Sequence, residues 1–193
     1  VFAFAQKPAL DHSVYDSWES LSGVSVPYNG QYILYSVNKQ QGDGTLYLYD
    51  LKSKGQTEIP RGKSAVLSQD NKTLLYRVAP LYEQTREAKI KKKKGDDMPT
   101  DTLVIMNLKS GEKQVFPCLK SVKYGRQLQK YVAFQTSPEK KGDKSAGTPL
   151  YLYNVKTSTI DTIDIVDKYS FTEEGEYLSY ITKPGDKDST GVR

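Results

Sequence analysis

The chain has 193 residues, room for one large domain or two small ones, and 26% of them are charged. No apolar run approaches the ~18 residues a membrane-spanning helix needs. Cys118 is the single cysteine, which leaves no internal disulfide framework and no thiolate metal cluster. The formal charge of +5 is matched by five lysines in one short segment, Lys89 and Lys91 to Lys94, so global charge says little about partners.

Val1-Phe2-Ala3-Phe4-Ala5-Gln6 has the form of the end of a secretory signal: an apolar stretch, Ala-x-Ala, then a polar residue. Residues 1–5 are thus expected to be a signal remnant, cleaved after Ala5, and the protein to be exported, periplasmic or secreted. Across 6–22, Leu10, Val14, Trp18 and Leu21 recur at helical intervals. This spacing predicts a short lead-in helix or belt, capped by Asp11 or Ser13 and anchored by Trp18. His12, the one histidine, lies here.

From residue 23 one strand is written three times: Leu46-Tyr47-Leu48-Tyr49-Asp50-Leu51, Leu103-Val104-Ile105-Met106-Asn107-Leu108 and Leu150-Tyr151-Leu152-Tyr153-Asn154-Val155. Each closes on Asp or Asn plus an aliphatic residue and runs into a short polar turn. So many adjacent apolar residues predict strands buried on both faces. Around each copy the same grammar recurs: a short first strand, a turn, a second strand, the repeated strand, then an outer strand. Asn29-Gly30, Asp70-Asn71 and Glu174-Gly175 supply hairpin turns, and Pro60 and Pro117 end outer strands, where a missing donor is tolerated.

Four short antiparallel strands per unit, repeated radially, predict an all-β fold, a partial β-propeller of about three and a half blades with a short N-terminal helix. The blades fall at about 23–60, 64–117, 121–165 and 168–193, together an incomplete propeller over 23–193. An open ring leaves edge strands unpaired, so the chain is expected to need further blades or a partner.

Two inserts separate second and third strands. Gly142 to Thr148 reads as a flexible loop. Leu81 to Asp101 is longer, and Tyr82 to Ile90 within it is rich in helix formers, with Gly95 and Pro99 positioned to end a helix. Arg86, Lys89, Lys91, Lys92, Lys93 and Lys94 make this insert the candidate interaction site. No aromatic residue interleaves the lysines to stack bases, which argues against nucleic acid, and a like-charged run is usually a solvated loop.

Candidate catalytic and metal sites are lacking. A Ser-His-Asp hydrolase needs a base and a nucleophile on a sharp turn, and there is one histidine and no Gly-x-Ser-x-Gly. One His and one Cys over a hundred residues apart give no metal-ligand spacing. Asp96-Asp97 and Glu173-Glu174 would need further oxygens, and Glu174 fits turn chemistry before Gly175. No cofactor is expected.

With the repeat laid out, the chain resembles the N-terminal propeller region of the prolyl oligopeptidase family of serine peptidases, above all large exported members from Bacteroides-type bacteria. The resemblance rests on Leu10-Asp11-His12-Ser13-Val14-Tyr15-Asp16-Ser17-Trp18, on Asn29-Gly30-Gln31-Tyr32-Ile33-Leu34-Tyr35, and on Gly42-Asp43-Gly44. Its most specific part is the insert, Thr85-Arg86-Glu87-Ala88-Lys89-Ile90-Lys91-Lys92-Lys93-Lys94 through Asp96-Asp97-Met98-Pro99. The resemblance implies a non-catalytic propeller that limits peptide access to an α/β-hydrolase domain beyond Arg193, where Ser, Asp and His would lie. Some members read a substrate's amino terminus with paired glutamates on a helix. Glu173-Glu174 lies in a turn, so that role is not carried over. Gly125-Arg126-Gln127-Leu128-Gln129-Lys130 departs from the expected turn and predicts a distorted third blade. The alternative is a stand-alone TolB-like or WD-repeat-like propeller that binds a protein.

Overall fold

The structure is a computed structural model that describes residues 12–15, 18–27, 30–137 and 148–182. The signal-like Val1 to Ala5, Asn29 of the first turn and the loop at 142–147 lie outside these residues, as does the caps' Asp11.

Twelve of the thirteen strands build three blades. Blade one is β1 (Glu19–Ser25), β2 (Tyr32–Lys39), β3 (Thr45–Asp50) and β4 (Gly55–Pro60), antiparallel and in that order. Blade two is β5 (Gly62–Leu67), β6 (Thr73–Val78), β7 (Thr102–Asn107) and β8 (Lys113–Phe116). Blade three is β9 (Leu119–Tyr124), β10 (Tyr131–Thr136), β11 (Thr148–Asn154) and the first half of β12 (Ile160–Phe171). The second half of β12 pairs with β13 (Leu178–Thr182) and opens blade four, so blades three and four form one five-stranded sheet. This is a partial β-propeller.

Each repeated strand ends the same way for a local reason. The Asp50 carboxylate accepts the Lys52 amide at 2.9 Å, and the side-chain oxygens of Asn107 and Asn154 accept the amides of Lys109 and Lys156 at 2.9 and 3.0 Å. These Asx turns explain why the strand closes on Asp or Asn. Four residues on, Lys54, Gly111 and Ser158 all take positive φ to bring the chain back.

The crossing between blades also repeats. Arg61, Cys118 and Ile165 stand at φ 59°, 55° and 60°. The Ala79 amide donates to the Arg61 carbonyl, and the Ser137 amide to that of Cys118, at 2.9 and 2.7 Å. Pro60 and Pro117 precede the first two, whereas Asp164 precedes Ile165. With no proline to remove a donor, β12 runs on through the bend, where the sequence predicts one blade to end at about 165 and the next to begin at about 168.

Packing is face to face between successive blades. Leu34, Leu46 and Leu48 of blade one meet Leu74, Tyr76, Val104 and Met106 of blade two. Leu75, Leu103 and Ile105 then meet Val132, Phe134 and Tyr153 of blade three. Blade two is therefore buried on both faces, as its continuous apolar strands predict. Blade one departs from that expectation: β3 alternates, with Leu46 and Leu48 buried and Tyr47 and Tyr49 only half-buried. The hydroxyls let these tyrosines face water, and Tyr47 stacks on Tyr35 at 5.0 Å between centroids.

The lead-in also differs. The helix α1 is a single turn, His12–Tyr15, and β1 already begins at Glu19, so Leu21 lies on a strand. Trp18 is 54% exposed and edge-on to Tyr15 at 4.8 Å, not an anchor in the core. Its carbonyl accepts the Gln40 amide at 2.8 Å, which ties the entry of β1 to the end of β2.

In blade three the departing turn is ordered for a reason. Arg126–Leu128 forms a 3-10 turn whose Leu128, at φ 47°, is fully buried among Leu75, Leu103 and Phe134. The turn thus plugs the core between blades two and three. Gly125 meets Gly175 so closely that a Cβ on Gly125 would stand 2.2 Å from the Gly175 Cα.

Candidate functional site

The insert carries a second helix, α2 (Tyr82–Ile90). Its first amide, Tyr82, donates to Asp43 Oδ1 of the blade-one loop at 2.8 Å, so a carboxylate from another blade caps it. The helix does not run to Gly95. It ends in a Schellman turn, with the Lys93 amide on the Ala88 carbonyl, the Lys92 amide on that of Lys89, and Lys92 at φ 54°. Gly95–Asp97 then forms a 3-10 turn. Arg86, Lys89, Lys91, Lys92, Lys93 and Lys94 are all exposed, and Lys91 lies 3.1 Å from Glu87 one turn back. Glu173 and Glu174 serve the turn against blade three: the Arg126 amide donates to the Glu173 carbonyl at 2.9 Å, and the Arg126 guanidinium lies 3.6 Å from Glu174.

Under the insert is a cavity of about 580 Å³ walled by Val78, Pro80, Pro99 and Val115. Arg61 stands at its edge and donates to the Ala79 carbonyl at 3.1 Å.

A larger cavity, about 730 Å³, lies where the first strands of blades three and four come together. Lys120, Ser121 and Lys123 of β9 form one wall, and Asp167 to Ser170 of β12 with Ser179 to Ile181 of β13 the other. Its floor is a buried polar network. Ser121 Oγ and Tyr169 Oη are 2.7 Å apart, and the Gln135 amide group donates to the Val166 carbonyl at 2.9 Å. Lys123 Nζ donates to the Tyr169 carbonyl at 2.8 Å and lies 5.4 Å from its ring centroid. Burial pushes the Tyr169 phenol up, partly offset by the Ser121 hydroxyl and the charge of Arg77, so Tyr169 stays neutral and can donate.

None of these residues stands out in the sequence as a site, because they come from four strands, β9, β10, β12 and β13, spread over about sixty positions. The available signal is the bulge: Lys120 and Asp167 both fall where pairing shifts register, which turns inner-strand side chains aside. Among the described residues no group of three or more His, Cys, Asp or Glu could hold a metal, and no helix is long and apolar enough to cross a membrane.

No protein-family model matches the chain, and no curated protein sequence does. Solved structures do match in shape. One is the β-propeller domain of the Trilobed protease from Pyrococcus furiosus, which has an open velcro topology; it superposes with a TM-score of 0.54 at 11% identity, over 86% of this chain and 49% of that one. A structure from a study of two prolyl endopeptidases gives 0.53 at 14% identity, over 92% and 30%. The acylaminoacyl peptidase of Pyrococcus horikoshii gives 0.51 at 11%, over 92% and 30%. This chain therefore spans about half of the first and under a third of the other two. At such identities the likeness is one of fold: the chain is a portion of a β-propeller of the kind that these peptidases carry.

Proposed function

We propose that this chain is the non-catalytic propeller portion of an exported serine peptidase of the prolyl oligopeptidase family, gating peptide access to an α/β-hydrolase domain of the same protein. The observation that carries the reading is its superposition on propellers of peptidases over most of its length. The blade-two insert adds weight, since a generic propeller has no need of a helix capped from the neighbouring blade. This sequence has no Gly-x-Ser-x-Gly, so in this reading the nucleophile stands on the other domain and the propeller contributes exclusion and positioning. The signal-like Ala3-Phe4-Ala5-Gln6 is what supports export in this reading.

The test is to purify the product of the native gene from its own host and treat it with a fluorophosphonate serine probe. A labelled protein far heavier than 21.7 kDa, beginning at Gln6, is expected. An unlabelled product only a few blades longer would replace the peptidase with a protein-binding propeller.

A further inference from the structure

We infer that the cavity between the first strands of blades three and four reads the carboxylate of an extended peptide through Lys120, Lys123 and Lys168. Three lysines face one acidic residue, Asp167, in its lining, and among the described residues no carboxylate pairs with any of the three. Two of the three charges are held on neutral partners. Lys120 Nζ donates to Thr148 Oγ1 at 3.3 Å and Lys123 Nζ to the Tyr169 carbonyl, which leaves each ammonium further protons to donate. Arg77 adds positive potential at Tyr169 from blade two.

The geometry suits a carboxylate better than a free cation or an apolar ligand. Ammonium donors stand over a floor fixed by the Gln135 and Ser121 hydrogen bonds, and each can make a charge-assisted bond to an entering carboxylate. The cavity lies on the side where first strands gather, which in a propeller surrounds the central channel. A chain threading that channel would bring its end past these lysines. That the ligand is a peptide rests on the function proposed above, while the demand for a carboxylate does not.

The experiment uses the full chain encoded by the native gene, pre-treated with the serine probe, and fluorescence anisotropy of three dye-labelled peptides of one apolar sequence. One ends in a free carboxylate, one in an amide, and one in an amide with an internal Glu. The free acid is expected to bind at least about tenfold more tightly than the amide, the range of one hydrogen bond to a charged group. K120M and K168M, both at exposed positions, should each remove most of that preference, whereas K120R should keep it and K109M, at an exposed turn of blade two, should change nothing. Equal binding of acid and amide, or a preference that survives K120M and K168M, overturns the inference. If the Glu-bearing amide matches the free acid, carboxylate recognition stands and the source is a side chain. Probe labelling without any carboxylate preference sinks this inference alone, and a preference without labelling sinks the peptidase.

Discussion

Arg61, Cys118 and Ile165 occupy one backbone position in three successive crossings, yet their side chains have nothing in common. The fold demands a left-handed bend there and leaves its side chain to chance. A β-branched residue suits it least, because the conformation crowds Cβ against the following carbonyl. Ile165 is also 43% exposed, so little burial would be lost on replacing it. Ile165→Asn should raise stability by about 0.5–1 kcal/mol, read as a higher urea midpoint at constant slope. A second residue makes the turn chemistry testable by acid. Asp50 is held below the usual carboxylate range, first by the Lys52 amide and then by the Ser53 hydroxyl and amide and by Gln31. A carboxyl with a lowered native pKa contributes stability above its unfolded value, near 4, and loses it as pH falls through the native value. Blades two and three use Asn107 and Asn154 at this place, so Asp50→Asn should keep the turn while flattening the decline of the urea midpoint below about pH 4. A variant as acid-sensitive as the parent would assign that decline to other groups.

At the level of elements, α2 shows how a helix can be fixed by a residue it does not contain. Four amides open any helix, and here the first finds its acceptor in Asp43, almost forty positions away. Asp43→Ala should loosen the insert without unfolding the blades: faster amide exchange over Tyr82–Ile90 and earlier proteolysis within it, for a local cost of about 0.5–2 kcal/mol, with Asp43→Asn restoring most of it. The helix itself was legible in Tyr82 to Ile90, since its formers act locally, but its cap was not, because nothing in Gly42-Asp43-Gly44 says which amide it will meet. The same division runs through the rest. Repeated strands, Asx turns and blade order come from local patterns and could be read in chain order. Trp18 misleads because its spacing with Leu21 matches a helical face, while the chain from Glu19 on, Leu21 included, pairs as β1 with β2. Leu128 is hidden likewise: a polar, glycine-led turn gives no hint that its one leucine reaches the core of another blade. The lysine-lined cavity depends on register shifts in two strands far apart in sequence, which periodicity cannot show.

Taken whole, the molecule is a graded stack. Blade two has a neighbour on each side, whereas blade one offers Ile33, Tyr35, Tyr47 and Tyr49 half-buried at positions that Leu74, Tyr76, Val104 and Met106 fill as core in blade two. Stability in repeat architectures is close to a sum of nearest-neighbour interfaces. Native-state hydrogen exchange of this chain should therefore show β6 and β7 most protected, with β2 and β3 opening at lower free energy. Uniform protection across the three blades would mean that all of them open together.

β12 gives that stack a seam of its own. A rod shared by two leaves of a hinge transmits any twist of one to the other, and Ile160–Phe171 is such a rod, paired with β11 along one half and with β13 along the other. Blades one and two, and two and three, are joined instead at Pro60-Arg61 and Pro117-Cys118, where the ladder is interrupted. Under an applied twist the chain will part at those proline joints before it parts between blades three and four.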